Sequence, residues 1–353
     1  MPYQVPREHI QNDASLSNAP PEAGMYGWEG RNNQSSLPYH HHPPDDEPHV
    51  NMVHIDLFHH FSTSNYGFVN TEQQPISHLV KEVAVRHAIT TPFLMHQLLA
   101  LAARHRSSVY DDPNRQAFYQ HLATQLQTQA ISLFGRVDLN TVTPHERVSI
   151  FLFSSLLGFQ DLCDALSLRA ASFEVFMARY LGYVHLHRGV HKVIKGSWEN
   201  LRESELRPVL AAGHVMYENC GTGPECDDLK RRIDAAEGLG DEEKEACHGA
   251  IRHLQWLFDR RPDVRTHVNV LLAWAAMFPD GFLQLLEAGR REALCVLGYY
   301  FVLLHDCKDV WFVLDAGEVL LGLLVEYLGP EWAEWMKRPE ELLREPLVGE
   351  PWG

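Results

Sequence analysis

The spacing of apolar residues follows a helical period through most of the chain. Leu94, Leu98, Leu101 and His105 share one face, and Leu122, Leu126, Ala130 and Leu133 repeat the pattern. Thr91-Pro92 reads as a helix start, with Thr as N-cap and Pro at the first helical position, where its missing donor costs nothing. Thr143-Pro144-His145-Glu146 is a clearer start, because Thr143 and Glu146 form a capping box around a proline. Behind it, Val148 to Phe159 is apolar on nearly every side and reads as a core helix. Ile55, Leu57, Phe58 and Phe61 predict a short amphipathic helix near the start of the folded region. Further helices are predicted at 165–180, 184–195, 204–218, 241–258, 264–277, 290–305 and 316–328. Asp241-Glu242-Glu243 places acids where a helix macrodipole favours them. Gly221 to Pro224, with Gly238 and Gly240, forms the most loop-like interior stretch. No strand alternation, Asn-Gly hairpin signal or 20–50-residue repeat is present. The expected fold is therefore all-α, a single multi-helical domain over 49–353.

Residues 1–48 differ in kind. They are rich in Pro, Asn, Ser and acids and contain the triplet His40-His41-His42. Such a segment buries too little apolar surface to offset its ordering entropy, so a disordered leader is expected. Its first ten residues are polar and do not read as a secretory signal.

Charge and cysteine content narrow the function. Acids outnumber bases 46 to 30 in 353 residues, a net charge of -16. Direct nucleic-acid binding is not expected, since phosphate affinity comes from clustered Lys and Arg. No apolar run reaches the roughly 18–20 residues of a membrane helix, so no membrane partner is expected. Six cysteines are too sparse for a disulfide scaffold and predict a reduced compartment, not secretion.

The usual catalytic signatures are missing. There is no Gly-x-Gly-x-x-Gly, no phosphate loop, no Gly-x-Ser-x-Gly elbow and no His-Glu-x-x-His. Asp111-Asp112 and Asp227-Asp228 lack the third acid of a carboxylate metal motif. Cys220 and Cys226, with Cys247 and His248 beyond, do not make the paired short spacings of a zinc site. Neither a cofactor nor a metal is expected. The 22 histidines are an excess that gives the chain a capacity for pH sensitivity.

Aromatic residues supply the stronger lead. Phe151, Phe153 and Phe159 share one helix. Trp256, Trp274, Met277 and Phe278 follow, then Tyr300 and Trp311. Rings with Met and a few polar tips suit an apolar ligand pocket; plain core packing accounts for the same spacing.

Pro92-Phe93-Leu94-Met95-His96-Gln97-Leu98-Leu99-Ala100-Leu101-Ala102-Ala103-Arg104-His105, followed by the Tyr119 to Phe134 helix, resembles the opening of the regulatory domain of fungal zinc-cluster transcription factors, in the sterol-uptake-control-like branch. Leu186-His187-Arg188-Gly189-Val190 is similar to the family's Arg-Gly turn. Trp274, Phe278-Pro279, Phe282, Ala293-Leu294 and Tyr299-Tyr300 are similar to its C-terminal core. The resemblance runs from about 54 to 339. It implies a helical domain that senses an apolar small molecule (sterol, terpenoid or polyketide) and controls transcription, here of a fungal secondary-metabolite gene cluster. Two departures stand out. The first cysteine is Cys163, so the six-cysteine zinc cluster is missing, and the expected regulator acts through a DNA-binding partner. In the family's tryptophan-rich segment, read here as Val310 to Gly317, only Trp311 and Gly317 fit. Nuclear residence is expected for a regulator, cytoplasmic otherwise. The alternative is a cofactor-free cyclase or isomerase of a terpenoid or polyketide, with His96, His105, Asp161, Tyr299 and His305 as candidate donors. Such chemistry needs shape, water exclusion and one or two donors.

Overall fold

The computed structural model describes residues 50–64, 75–139, 141–167, 172–194, 201, 203–208, 210, 221–261 and 268–345. The leader 1–48, the His40–His42 triplet, Cys220 and most of the helix predicted at 204–218 lie outside them. The described residues form thirteen α-helices and one 3-10 turn, with no strand among them.

The first five helices are α1 (Met52–Thr63), α2 (Pro75–Ala88), α3 (Pro92–Val109), α4 (Pro113–Phe134) and α5 (Pro144–Ser167). Then come α6 (Phe173–Ile194), α7 (Asp227–Ala235), α8 (Asp241–Phe258), α9 (Val268–Met277) and α10 (Asp280–Glu287). The last are α11 (Arg291–His305), α12 (Ala316–Leu328) and α13 (Ala333–Arg344), with the 3-10 turn Pro330–Trp332 before α13. All belong to one compact unit, Asn51–Gly353.

Two helices act as hubs. α3 packs against α1, α2, α4 and α5, and α11 packs against α8, α10, α12 and α13. Every residue of α11 from Ala293 to Leu304 is buried, so this helix is apolar on all sides because all sides are covered. α6 joins the two groups through contacts with α5, α9 and α12.

Helix ends follow the local chemistry. Thr143 N–H donates to Glu146 Oε2 at 2.8 Å, and Glu146 N–H donates to Thr143 Oγ1 at 3.3 Å, closing the predicted box. Asp112 caps α4 by accepting from Asn114 N–H at 2.9 Å, with Pro113 following it. Thr91 occupies the N-cap of α3 but its hydroxyl does not cap; it lies 3.1 Å from Ser149 Oγ on α5. Tertiary contact has taken the side chain that local sequence assigned to the helix.

Several expectations change. The helix predicted over 165–180 is broken: α5 ends at Ser167 and α6 starts at Phe173, absorbing the predicted 184–195. The loop read around 219–240 contains α7. Its first turn is tied to the next by Lys230–Asp227, Arg231–Asp228 and Arg232–Asp228 ion pairs at helical spacing, and Leu229 and Ile233 are buried together. α5 runs 24 residues. One stretch of it, His145–Ser167, is long and apolar enough to cross a membrane, contrary to the run-length reading. Ser154, Ser155, Gln160 and Asp161 interrupt the apolar run without lowering its average far enough. In the fold, 72% of its most apolar 18 consecutive residues are buried.

α5 also carries part of a polar chain that is buried at Gln97 and Gln160 and half-buried at Gln127 and Asp161. Gln97 Nε2 donates to Gln160 Oε1 at 3.0 Å, Gln160 Nε2 to Gln127 Oε1 at 3.3 Å, and Gln127 Nε2 to Asp161 Oδ1 at 3.0 Å. It threads α3, α5 and α4. Gln97 is fully buried and its own carbonyl oxygen lacks a partner.

Candidate functional site

An extended aromatic assembly forms where α6, α9, α10 and α11 meet. Trp274 stacks on Tyr300 with centroids 4.8 Å apart and planes at 21°. Phe278 and Phe282 meet the same indole edge-on at 5.0 and 6.0 Å. From α6, Phe176 stacks on Tyr180 at 5.5 Å and meets Phe301 edge-on at 5.6 Å. Tyr180 lies 6.3 Å from Tyr300 and 6.0 Å from Tyr183. These separations suit offset and edge-to-face pairing. Trp274 and Tyr300 have no exposed surface, and the same holds for Tyr180.

The polar tips differ in their fates. Trp274 Nε1–H donates to Ala250 O at 3.1 Å, and the Tyr183 hydroxyl donates to Leu272 O at 3.0 Å. The hydroxyls of Tyr180 and Tyr300 are buried without a partner. Burial pushes both phenols well above their ordinary range, and the neighbouring tyrosines add to it. They are neutral donors at any ordinary pH. A buried hydroxyl without a partner costs about 1–3 kcal/mol, so two in one cluster require an explanation.

The other candidate pocket residues are distributed elsewhere. Phe153 packs with Phe93 and Phe134 between α3, α4 and α5. Phe159 meets Phe312 edge-on at 5.0 Å, and Trp311 lies beside that ring at 5.3 Å. Phe151 is only partly buried. One helix thus sends its three phenylalanines into three surroundings, because steps of two and six residues turn a helix to different faces. Trp256 lies under the Arg260 guanidinium at 4.0 Å, its ring N–H buried and unpartnered. Met277 is buried at the end of α9, next to Phe278. Tyr180 and Tyr183 were not singled out in the sequence. Phe176, Tyr180 and Tyr183 recur at helical spacing on one face of α6, and that signal was legible.

The five candidate donors are spread over three helices. His96 is on α3, with Nδ1 2.8 Å from Pro92 O. His105, at the far end of α3, has Nδ1 3.0 Å from His60 Nε2. Asp161 on α5 ends the glutamine chain, and burial raises its carboxyl. On α11, the Tyr299 hydroxyl and His305 Nδ1 are buried and unpartnered. Among the described residues no group of three or more His, Cys, Asp or Glu could hold a metal ion. Cys163, Cys226, Cys247 and Cys295 are free and buried, and Cys307 is buried. Burial raises the Cys247 thiol to about 12 and also raises Cys163, Cys226 and Cys295, which removes thiolate character.

One further arrangement has the residue types of a catalytic triad. His87 Nδ1 lies 3.0 Å from Ser149 Oγ and its Nε2 lies 2.6 Å from Glu205 Oε1. Ser149 is fully buried and also contacts Thr91, so no substrate carbonyl can reach its oxygen. These groups tie α2, α3 and α5 to the segment carrying Glu205. At the surface, a cleft of about 500 Å³ opens between α1, the end of α3 and the start of α4. Its Arg106 is already engaged by Asp56 at 2.8 Å and by the Tyr110 hydroxyl at 2.7 Å.

No family model matches the chain, and no solved structure matches it. A curated protein of Gibberella zeae, described as a Zn(2)-C6 fungal-type transcription factor, is 23% identical over 328 residues. The alignment covers 86% of this chain and 64% of that protein, so the chain spans less than two thirds of its relative's length. Over most of its length, then, this all-helical chain is similar to a fungal zinc-cluster transcription factor.

Proposed function

We propose that the chain is a transcription-regulating domain that responds to an apolar small molecule bearing a hydrogen-bond acceptor. A sterol, terpenoid or polyketide with a ketone, lactone or hydroxyl oxygen has that chemistry. The observation that carries the reading is the pair of orphaned phenols, Tyr180 and Tyr300, inside the aromatic cluster. In the closed state the rings pack against one another and leave no exposed surface on either tyrosine. A ligand therefore enters only if α6, α9 and α11 part. Two unpaired donors raise the free energy of the closed state, and an acceptor oxygen that satisfies them favours a second packing. Differential affinity for two packings is what a switch requires. The regulatory half of the reading rests on the likeness to the Gibberella zeae factor. In this reading the domain works in the nucleus through a DNA-binding partner and controls a secondary-metabolite gene cluster.

The test has two arms. Purified protein is heated with a panel of sterols, terpenoids and polyketides that carry or lack an oxygen function. A ligand at 100 times its Kd adds about 2.7 kcal/mol. Stabilisation by the oxygenated members alone, lost in a Tyr180→Phe, Tyr300→Phe double variant, supports the reading; no shift across the panel overturns the ligand half. Deleting the gene and measuring neighbouring transcripts decides the regulatory half. Unchanged transcripts with an accumulated intermediate that the purified protein converts would establish the cyclase or isomerase instead.

A further inference from the structure

α1 carries His54, His59 and His60 in twelve residues. It packs chiefly on α3, to which it contributes the buried Leu57 and Phe61. Histidines face each other across that seam at two levels. Near the start, His54 and His96 stand edge-to-face with centroids 6.3 Å apart. Near the end, His60 Nε2 lies 3.0 Å from His105 Nδ1, with ring centroids 5.1 Å apart. The other nitrogen of His60 lies 2.8 Å from Ser64 Oγ, and His105 in turn packs on Trp311 at 4.9 Å. An N···N contact this short needs one proton between the two rings. If both rings are cationic, two donors and two positive charges are forced together.

Most of the described charges around the pair sharpen that conflict. Around His60 stand Asp56 and His59 from α1, Lys81 from α2 and Arg106 from α3; around His105 stand His60 and Arg106. Among the described groups named here, Asp56 would welcome a proton, and its carboxylate is held by Arg106. Lys81 is anchored beside the pair by its bond to Ser64 O at 2.8 Å.

We propose that the seam between α1 and α3 is a proton-operated latch: α1 docks while the His60–His105 pair is neutral and detaches when both rings are protonated. The burial that accompanies docking, with the neighbouring positive charges, pulls both imidazoles down to about 4, against 6.5 when free. The released state therefore binds up to two more protons throughout that interval. For a lowered histidine the stabilisation is complete above the free value and is lost as pH falls toward the docked value. Each proton contributes up to tenfold per pH unit, so opening of α1 becomes about a hundredfold easier, or more, between pH 7 and pH 5.

Amide hydrogen exchange on the full chain tests this, with rates corrected for intrinsic exchange at each pH. Expected is a loss of protection in Met52–Thr63 of a hundredfold or more from pH 7 to pH 5, while α11 keeps its protection. A His60→Gln, His105→Gln variant, which retains polar side chains that do not titrate, flattens the dependence. A fall shared equally by α1 and α11 overturns the latch, as does an undiminished fall in the variant. The histidine ring resonances of the unmodified protein give a check that needs no variant. Midpoints for His60 and His105 well below 6.5 support the proposal, and midpoints at 6.5 overturn it.

Discussion

Tyr300→Phe is expected to stabilise the protein, the reverse of the usual outcome for a change at a fully buried position. The hydroxyl is shielded from water and has no hydrogen-bond partner, so folding strips its hydration without replacement. Removing it recovers the desolvation cost of an unsatisfied buried group, about 1–3 kcal/mol. The opposing term is the void of a single oxygen atom, a few tenths of a kcal/mol at about 24 cal/mol per Å³. The ring stays stacked on Trp274, since the phenyl group keeps its shape. The net gain of about 1–2 kcal/mol moves Tm upward by several degrees in a domain of this size. Urea unfolding is the assay, read as a higher midpoint at unchanged slope. Tyr183→Phe is the internal control. It lies in the same cluster, but its hydroxyl bonds Leu272 O, so its removal is expected to lower stability by about 1 kcal/mol. If both substitutions destabilise equally, the Tyr300 hydroxyl has a partner and the inference drawn from orphaned donors fails.

Other substitutions probe other parts of the fold. Gly317→Ala puts a Cβ 2.3 Å from His305 N and 2.6 Å from Phe301 O, which are backbone atoms that cannot rotate away. Overpacking of that kind costs about 1–3 kcal/mol or more, and a Tm equal to the parent's would disprove the close crossing of α11 and α12. Thr143→Ala removes the α5 cap and should lower stability by about 1 kcal/mol, whereas an unchanged urea midpoint would mean the box is idle in solution. Asp161→Asn keeps an oxygen for Gln127 and discards a carboxyl whose ionisation burial opposes. Because the folded state raises that acid, the parent is relatively favoured at low pH and penalised as pH rises through the ordinary carboxylate range. The variant should therefore gain on the parent from pH 4 to pH 7; a constant difference between the two melting curves would refute the assignment.

Much of the fold was legible because its signals are local. The 3.6-residue period places α3, α4, α5, α8, α11 and α12, and the Thr143–Glu146 box works as its spacing dictates. What escaped depends on distant partners. α7 has few apolar residues and owes its place to Leu229 and Ile233 reaching the core, while its loop-like flanks Gly221 and Gly240 dominate the sequence signal. Thr91 looked like a cap because nothing nearby announces Ser149, 58 residues away. For the candidate site, Trp274, Phe278 and Tyr300 were recognisable as large rings. The shared face of Phe176, Tyr180 and Tyr183 on α6 was legible too, but nothing local joins it to rings nearly a hundred positions downstream. Which phenols lack a partner is a property of packed geometry that spacing does not carry.

The glutamine chain through α3, α5 and α4 has a consequence for how the N-terminal helices find their alignment. Its three amides point the same way, each giving a proton to the next and ending on a carboxylate that only accepts. Leucines tolerate a slip of one turn, for another leucine waits there. An amide forced opposite a methyl group does not. The chain thus works as a key with four cuts, rejecting displaced pairings of these helices that greasy contacts alone would accept.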